Sequence, residues 1–455
     1  MGPPAPEPPG PTPAELALKA DEEALKAQVT SLKDALDAVS AELGAEREQR
    51  AEEVITVQER AEKAEALRAL MPKVSGYVQA DWTMLNQSSS DQLNYSTGDP
   101  LNEERFMIRR ARLKMTLDRP YTAGALEFDG NTTKGTQARL VDAEASLRLP
   151  GERPDLPLVM ASIGMFKIPF GFEVLQSDRD RLFMERSTAE RGLFPGEYDI
   201  GARLQGGWRF VRYALAVQNG EPLGEKTFPG RDPNNAKDVT FQPGIDTIVT
   251  DHVRVSGGFS FLWGTGFHAG TPATKPSVQW VDRNENGVLD PSELVASPGK
   301  AATPSQNFGR FGYGPNLQLT IDVPDLGATV LYGELYWAKN LDRGILIADP
   351  VAVGRDYREF GGYGALTQDL GPYAALGVRY DYYRSDLDST NMDQGIVVPS
   401  SNAMQTLALV VAGRAVGGRL SLEYDLNRNH SGVDANGSPT NLKDNTLMLR
   451  GQWVF

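Results

Sequence analysis

A twelve-residue acidic segment, 282–293 (DRNENGVLDPSE), carries the most recognisable chemistry of this sequence. Gly287 stands at its sixth position, where a calcium-binding EF-hand loop requires a sharp turn. Calcium needs six or seven hard oxygen ligands at about 2.4 Å, and a chain that wraps around the ion supplies them. The segment therefore predicts one Ca²⁺ site in a loop. Its ligands would be the side chains of Asp282, Asn284, Asn286, Asp290 and Glu293 and the carbonyl of Val288.

The alternative is an ordinary polar surface loop, rich in Asn, Asp and Gly, that holds no metal. Two Asn in place of Asp lower the ligand charge, and the preceding residues 276–281 (PSVQWV) are too short and too β-branched for an EF-hand helix. We therefore expect a single site of modest affinity that rigidifies an outer loop, rather than a paired EF-hand.

The sequence contains few of the residues and motifs that catalysis requires. The chain has no Cys, which excludes a thiolate nucleophile, a disulfide framework and a Cys-ligated zinc site. Its three His lie far apart in the sequence, and no Gly-x-Ser-x-Gly elbow or phosphate-binding Gly-Lys-Ser/Thr loop occurs. The formal net charge of −14 argues against nucleic acid, which requires a basic surface. We predict that the protein is not an enzyme.

After Pro72 the sequence alternates between apolar and polar residues with a period of two. In the last segment, 447–455, Leu449, Trp453 and Phe455 share one face and Arg450 lies on the other. Such alternation is typical of a strand that separates two different surroundings. Sixteen segments of this kind begin near residues 74, 105, 121, 138, 157, 199, 209, 239, 252, 313, 327, 358, 373, 403, 418 and 444.

The connections between these segments alternate in length. Short links include 118–120 and 370–372. Long polar links lie near 86–104, 168–198, 219–238, 264–312, 339–357, 385–402 and 429–443. Short turns at one end and long loops at the other are typical of an outer-membrane barrel, whose closure leaves no unpaired edge in the hydrocarbon. No apolar run reaches the roughly 18 residues that a membrane-spanning helix needs. We predict an all-β transmembrane fold, a sixteen-stranded antiparallel outer-membrane β-barrel over 74–455.

The residues between the apolar positions should face the lumen of this barrel. Arg110, Arg112 and Lys114 on the second segment, and Arg203 and Arg212 on later ones, would then line the pore. Arginine offers forked donors to phosphate or carboxylate, and a positive lining attracts anions. The alternative is that these cations are solvated lumen residues that pair with acids on neighbouring segments.

Several ordered motifs resemble the phosphate-selective porin O and P family. They are FMIRRAR at 106–112, GMFKIPFGFE at 164–173, FMERS at 183–187 and DIG at 199–201. The resemblance extends over roughly 74–455 and is strongest between about 105 and 220. It implies a sixteen-stranded, trimeric barrel of the bacterial outer membrane, in which a long third loop folds inward and narrows the pore.

In this sequence the third loop corresponds to about 168–198. The resemblance implies that its cations contribute to a selective constriction, with phosphate as the leading candidate solute. These cations, with the lysine just before the loop, are Lys167, Arg179, Arg181, Arg186 and Arg191. The loop carries acids of similar number, namely Asp178, Asp180, Glu185, Glu190 and Glu197.

The N-terminal part has a different composition. Residues 1–13 contain seven Pro and predict a disordered lead. Thr12 is a candidate N-cap for a helix that begins near Pro13. Residues 14–71 contain no Pro and a single Gly, which favours a long helix.

Apolar residues recur along this helix with the 3,4 spacing of a coiled coil. One series is Leu18, Leu25, Leu32 and Val39, and the offset series is Val29, Leu36 and Leu43. We predict a coiled-coil stalk over 14–71 that lies in the periplasm and clamps a trimer. A solvated single helix is the alternative.

These features together predict a homotrimeric outer-membrane porin, embedded in lipid with its long loops extracellular. It would pass small hydrophilic solutes by passive diffusion, with a preference for anions such as phosphate. A second hypothesis, from a different class, is a structural envelope protein. Its coiled-coil stalk would link the outer membrane to peptidoglycan or another periplasmic partner, and conduction would be incidental.

Overall fold

The computed structural model describes residues 12–85, 104–133, 135–153, 156–393, 396–400, 402–430, 432–433, 439–442 and 444–455. The predicted disordered lead lies outside the described residues, apart from Thr12 and Pro13. The chain divides into two units, Met1–Met71 and Pro72–Phe455.

The first unit is a single long helix, α1 (Pro13–Leu70). It begins at Pro13, next to the predicted N-cap. The Thr12 backbone N–H donates to Glu15 Oε2 at 2.9 Å, and the Glu15 N–H donates to Thr12 Oγ1 at 3.4 Å, which is a reciprocal capping box. The predicted apolar seam is exposed, and Leu18 and Leu32 each retain 71% of their accessible surface. No helix in the described part of the chain is long and apolar enough to cross a membrane.

The second unit is a closed antiparallel barrel of sixteen strands, which confirms the predicted fold. Each strand pairs with the next one along the chain, and the last strand pairs with the first. The strands are β1 (Lys73–Leu85), β2 (Arg105–Asp118), β3 (Thr122–Asn131), β4 (Gln137–Leu149), β5 (Val159–Lys167), β6 (Tyr198–Trp208), β7 (Val211–Gln218), β8 (Asp238–Thr250), β9 (Val253–His268), β10 (Gln306–Val323), β11 (Gly327–Lys339), β12 (Arg358–Leu370), β13 (Ala374–Arg384), β14 (Ala403–Ala415), β15 (Gly418–Arg428) and β16 (Thr446–Val454).

The long loops contain short elements of their own. Among the described residues, the small helices are α2 (Thr188–Leu193) and α3 (Pro350–Val353), and a 3₁₀ turn spans Pro291–Glu293. Three two-stranded hairpins pair Ser277–Trp280 with Leu294–Ser297, Thr390–Asp393 with Ile396–Pro399, and Gly432–Val433 with Pro439–Thr440.

The strand starts agree with the sequence pattern to within two residues, with one exception. The segment predicted near 313 begins at Gln306, because β9 also continues to His268 and pairs with it. The first seven residues of β10, 306–312, include Gly309 and Gly312. These glycines interrupt the alternation of apolar and polar side chains, so the two-residue period is weak there.

The alternation of residue type matches the two faces of the barrel wall. On β2, Arg110 and Arg112 point inward and are buried. The next residue, Leu113, points outward and is exposed. Outward aromatic rings stack across neighbouring strands, as with Tyr313 and Trp337, whose centroids are 5.7 Å apart. An apolar outer face with aromatic rows is what a lipid-facing barrel wall requires.

The barrel closes where the C-terminus meets β1. The backbone N–H of Phe455 donates to the Gly76 carbonyl at 3.0 Å, and the Gly76 N–H donates to the Phe455 carbonyl at 2.9 Å. The Phe455 ring packs against Trp453 on the outer face, with 5.0 Å between the ring centroids. The predicted common face of these two terminal aromatic residues is therefore confirmed.

A β-bulge lies between β1 and β2. Gln79 pairs with Arg110, whereas the next residue, Ala80, pairs with Ile108. The extra residue is Arg109, which a strict two-residue period places on the outer face. The bulge instead lets Arg109 reach an acidic side chain of the third loop.

Candidate pore constriction

The third loop, residues 168–197 between β5 and β6, lies inside the barrel and is bound to its opposite wall. The backbone N–H groups of Phe172 and Glu173 donate to the Glu334 carboxylate on β11, at 2.8 and 2.6 Å. The Met184 N–H donates to Glu423 on β15 at 2.7 Å. A loop that leaves one side of the sheet and is hydrogen-bonded to the other side crosses the lumen.

Apolar packing fixes the same loop. Phe170 packs against Phe194 within the loop, with ring centroids 4.7 Å apart, and its ring centroid lies 6.1 Å from that of Tyr336 on β11. All three rings are almost fully buried. Burial of one such side chain contributes about 1.5–3 kcal/mol, so this cluster also stabilises the loop against β11.

Several of the described lumen-facing side chains are fully buried near the third loop. They include Gln79 on β1, Thr240 on β8, Ser260 on β9 and Glu423 on β15, and each has no accessible surface. An open water-filled pore would leave such residues accessible. The third loop and its polar partners therefore narrow the lumen here and form a constriction.

Three arginines surround one carboxylate of this constriction. Asp178 in the third loop lies 3.0 Å from Arg110 and 3.2 Å from Arg112, both on β2, and 2.9 Å from Arg181. Burial by itself raises the pKa of Asp178, but Arg110, Arg181 and Arg112 hold it well below its usual range. Asp178 is therefore ionised at any physiological pH.

A second carboxylate of the third loop binds the same strand. Glu185 accepts two hydrogen bonds from Arg109, of 2.6 and 2.8 Å, and lies 3.4 Å from Arg450 on β16. Burial alone raises the pKa of Glu185, whereas Arg109 and Arg110 hold it well below its usual range. The loop is thus connected to the arginine-rich wall through two carboxylates, Asp178 and Glu185.

The predicted pore cations of the barrel wall lie in the lumen, as expected from the strand period. Arg112 also pairs with Glu127 at 2.9 Å, Lys114 lies 2.9 Å from Asp142, and Arg203 lies 2.6 Å from Glu144. Arg212 on β7 is half-buried, and no acidic group of the described residues lies within 4.0 Å of it. Most of these cations are therefore paired with acids, and the partner acids of Lys114 and Arg203 lie two strands away in the sheet.

Four of the five predicted cations at the third loop, all except Arg191, have acidic partners too. Lys167 lies 2.7 Å from Glu197, Arg186 lies 2.9 Å from Glu190, and Arg179 lies 2.9 Å from Asp180. Arg179 and Arg191 are exposed, whereas Arg181 and Arg186 are buried. These pairs give the constriction a balanced charge, and binding of a solute anion by these residues remains a prediction.

A cavity of about 430 Å³ lies against the third loop, next to the strand ends that bear long loops. Arg191 of the loop lines it, and its guanidinium donates to Thr188 at 3.3 Å. The remaining charged residues of the cavity wall are Glu185, Arg186, Arg379, Asp381, Asp425, Arg428 and Asp444. Charges of both signs therefore surround the approach to the constriction.

Sequence reasoning missed Arg109 as a constriction residue. It assigned Arg110 to the lumen and, by the two-residue period, its neighbour to the outer face. Two adjacent arginines on one strand are the available signal, because placing either of them in lipid is costly and a β-bulge brings both inside. The partner Glu185 follows from no local pattern, since its contact with Arg109 spans 76 residues.

The predicted calcium loop has the curled backbone that the motif requires. The Asp282 carboxylate accepts the N–H groups of Asn286 at 3.1 Å and Gly287 at 2.7 Å, and Gly287 has a positive φ of 70°. Glu293 is buried and accepts from the Trp280 indole at 3.1 Å. The all-oxygen donor set fits calcium, but the structure brings no three His, Cys, Asp or Glu together as a metal site in the part it describes.

Comparisons with known proteins agree with this architecture. No curated protein sequence matches the chain. Its barrel is similar to the outer membrane channel DcaP of Acinetobacter baumannii, with a TM-score of 0.50, 12% identity and coverage of 84% of this chain and 97% of that one. It is also similar to the anion-selective porin from Comamonas acidovorans, with a TM-score of 0.50, 9% identity and coverage of 84% and 99%. At these identities the likeness shows the fold alone.

The family comparison concerns the part of the chain that contains the constriction. Residues 81–210 match the model of the family described as phosphate-selective porin O and P. This range includes β2 and the whole third loop. The resemblance of the chain to the phosphate-selective porin O and P family is therefore confirmed over residues 81–210.

Proposed function

We propose that the protein is a trimeric outer-membrane porin through which small hydrophilic solutes, preferentially anions such as phosphate, diffuse passively. The observation that carries the proposal is the constriction itself. A loop of a porin-family barrel lies across the lumen and meets four guanidinium groups, those of Arg109, Arg110, Arg112 and Arg450. Guanidinium groups bind planar and tetrahedral oxyanions through forked hydrogen bonds.

Charges away from the constriction support a preference for anions. Among the described residues, Arg191, Arg212 and Arg419 have no acidic group within 4.0 Å. Arg212 and Arg419 lie near the short-turn end of their strands, and Arg191 faces the cavity at the other side of the loop. Cations that no local acid neutralises raise the concentration of anions in a narrow cleft with low-dielectric walls.

The exposed seam of α1 supports the trimer. Seven apolar residues with 3,4 spacing remain 46–71% exposed in a single chain. Parallel copies of the helix would cover them by knobs-into-holes packing. We propose a three-stranded coiled coil in the periplasm, which stabilises the trimer and contacts peptidoglycan or another periplasmic partner.

The exposed helix and the narrow constriction also favour a second function, that of a structural link between the envelope layers. Deletion of residues 12–71 separates the two functions. A porin with an accessory stalk keeps both its solute uptake and the integrity of the envelope after this deletion. A structural link loses envelope integrity, measured as leakage of periplasmic protein and detergent sensitivity, while uptake stays unchanged.

We also propose that residues 282–293 bind one Ca²⁺ ion. Asp282, Asp290 and Glu293 would supply the charge, and Asn284, Asn286 and the Val288 carbonyl would complete the oxygen shell. The ion would stiffen the loop between β9 and β10 without taking part in conduction.

Liposome swelling tests the porin function with three solutes of similar size and different charge. Proteoliposomes are placed in gluconate, glucose or glucosamine, and the initial swelling rate is measured by light scattering. We expect the order gluconate, glucose, glucosamine, because the unpaired arginines favour negative solutes. Absence of swelling would contradict a channel, and the reverse order would contradict the anion preference.

A further inference from the structure

The cavity beside the third loop has positive charge on one side and negative charge on the other. Its volume of about 430 Å³ lies within the roughly 300–1,000 Å³ that is typical of small-molecule sites. We propose that this cavity binds zwitterionic solutes, namely α-amino acids or short peptides, before they enter the constriction. This inference rests on the proposed porin function and deepens it, because it names a further class of solute and the place where that solute binds.

Arg191 supplies the positive side of the cavity. It lies on α2 of the third loop, is exposed, and donates to the Thr188 hydroxyl at 3.3 Å. Within the described residues, no acidic group lies within 4.0 Å of its guanidinium. The guanidinium can therefore form a forked pair of hydrogen bonds with the carboxylate of a solute.

Three carboxylates supply the negative side. Asp381 on β13 and Asp425 on β15 belong to the barrel wall, and Asp444 belongs to the loop that precedes β16. The charge of Arg191 acts on all three of these carboxylates, although none of them lies within 4.0 Å of it. Opposite charges thus face each other across the cavity without a direct ion pair, which leaves room for a solute that carries both charges.

Asp425 lacks a cationic partner. No cationic group of the described residues lies within 4.0 Å of it, and its buried Oδ1 atom accepts no hydrogen bond. Glu423 lies two residues earlier on the same inner face, is fully buried, and also has an oxygen without a donor, Oε1. Two neighbouring carboxylates without a close cation leave negative charge uncompensated, so an ammonium group is stabilised beside them.

The other charged residues of the cavity wall leave this balance in place. Three of them are held in ion pairs, namely Glu185 with Arg109 at 2.6 Å, Arg186 with Glu190 at 2.9 Å and Arg379 with Glu173 at 3.3 Å. Arg428 is a second cation of the wall with no acid of the described residues within 4.0 Å. Two cations, Arg191 and Arg428, thus stand against two acids without a close cation, Asp425 and Asp444. A solute with one charge of each sign matches this wall better than an ion of either sign.

The separation of the charges suits a short peptide. An extended chain advances about 3.3–3.6 Å per residue, so the ammonium and carboxylate groups of a dipeptide lie about 7 Å apart. A solute of this length bridges groups that are too far apart to pair directly, as Arg191 and Asp425 are.

Three solutes of similar size test the site without relying on conduction. Glycylglycine carries both charges, N-acetylglycine carries only the carboxylate, and glycylglycinamide carries only the ammonium. Their binding to the purified, folded protein is measured by isothermal titration calorimetry at about pH 6, where the α-amino groups are protonated. We expect glycylglycine to bind about tenfold more tightly than either of the others, because each of these loses one charged contact. Equal affinities of the three solutes would overturn the proposal.

Two substitutions assign the two charges of the solute. Arg191→Met should weaken the binding of glycylglycine and N-acetylglycine about tenfold and leave that of glycylglycinamide unchanged. Asp425→Asn should weaken the binding of glycylglycine and glycylglycinamide and leave that of N-acetylglycine unchanged. If either folded variant binds all three solutes as the unmodified protein does, the site is wrong. Arg191 is exposed, so its replacement decides even if Asp425→Asn does not fold.

Asp388→Asn is the matched control. It removes a carboxylate from an exposed pair with Arg358, and neither residue lines the cavity. The control should bind all three solutes as the unmodified protein does. A loss of glycylglycine binding in Asp388→Asn as large as that in Asp425→Asn would contradict a site in this cavity.

Solute flux distinguishes failure of this site from failure of the porin function. If proteoliposomes swell with no solute but the calorimetric pattern occurs, the porin function fails and the binding site stands. If the channel conducts but glycylglycine binds no better than the solutes with a single charge, the binding site fails and the porin function stands.

Discussion

Arg450 and Asp81 form a bidentate pair that joins the last strand of the barrel to the first. The Nε and Nη2 groups of Arg450 each donate to one Asp81 oxygen at 2.7 Å. The two residues are direct partners in the β16–β1 ladder, and both side chains are only 3% exposed. Arg450 also donates to the Met184 carbonyl at 2.7 Å, so the residue that closes the barrel also holds the third loop.

Replacement of Arg450 should weaken barrel closure. Arg450→Met leaves Asp81 buried without a partner, and breaking a buried ion pair in this way costs about 3–5 kcal/mol. We expect a correspondingly lower free energy of unfolding in urea, measured by the shift between folded and unfolded bands of the barrel on unheated gels.

An exposed pair of the same form provides the control. Arg254 and Asp246 are also bidentate, at 2.8 and 2.5 Å, but 53% of the Arg254 side chain is accessible. Exposed ion pairs contribute about 0–1 kcal/mol, so Arg254→Met should lower stability far less. Equal effects of the two substitutions would contradict the role of Arg450 in closure.

Glu334 should control how firmly the third loop blocks the lumen. Its carboxylate accepts from the backbone N–H groups of Phe172 and Glu173 and from the Tyr363 hydroxyl at 2.7 Å. Glu334→Ala leaves these donors buried and unpaired, which costs about 1–3 kcal/mol of stability for each donor. We expect the start of the loop to detach and the single-channel conductance to increase.

Tyr363→Phe is the matched control for this change, because it removes one of the three hydrogen bonds and leaves the loop backbone attached. Its conductance should stay close to that of the unmodified protein. Identical conductance in Glu334→Ala and Tyr363→Phe would show that the loop is not held by this contact.

The loop between β7 and β8 should respond to pH near neutrality. Burial raises the pKa of Glu221 from 4.5 to about 7, although Arg310 lies 3.6 Å away. A raised carboxyl pKa means that the folded state binds the proton more tightly than the unfolded state. The stability that Glu221 contributes is therefore complete below about pH 4.5 and is lost as the pH rises through about 7.

Glu221→Gln removes this titration. The thermal midpoint of the unmodified protein should fall more steeply between pH 5 and pH 8 than that of the variant, and the two proteins should differ most at pH 8. Parallel curves over this range would show that Glu221 does not titrate in the folded protein.

Terbium luminescence can detect the proposed calcium site, because Trp280 lies 3.1 Å from Glu293 and can sensitise a bound lanthanide. We expect Tb³⁺ emission on tryptophan excitation that excess Ca²⁺ or a chelator abolishes. Glu293→Gln should weaken Tb³⁺ binding. Trp280→Phe should reduce the emission but leave the competition between Ca²⁺ and Tb³⁺, measured by calorimetry, unchanged. Unchanged emission in Glu293→Gln would exclude binding at this loop.

The strand pattern could be predicted from sequence because the barrel wall separates lipid from a polar interior at every second residue. Leu113 and Arg112 show this directly, since one is exposed on the outside and the other is buried inside. The start of β10 was predicted seven residues too late, because glycines interrupt the alternation between Gln306 and Tyr313.

The constriction could be predicted only in part. The sequence placed Arg110, Arg112 and the third-loop arginines near the pore, but it could not pair them. The contacts of Asp178 with Arg110 and of Glu185 with Arg109 join segments far apart in the chain, so no local spacing encodes them. Arg109 itself was missed because a β-bulge changes its face.

Single-channel recording of the purified protein in a planar bilayer tests the central claim, that this barrel is an anion-preferring porin narrowed by its third loop. The reversal potential is measured in a KCl gradient, and phosphate is then titrated. The account predicts small, anion-selective steps that phosphate blocks. Cation-selective steps, or no conductance from folded protein, would contradict it.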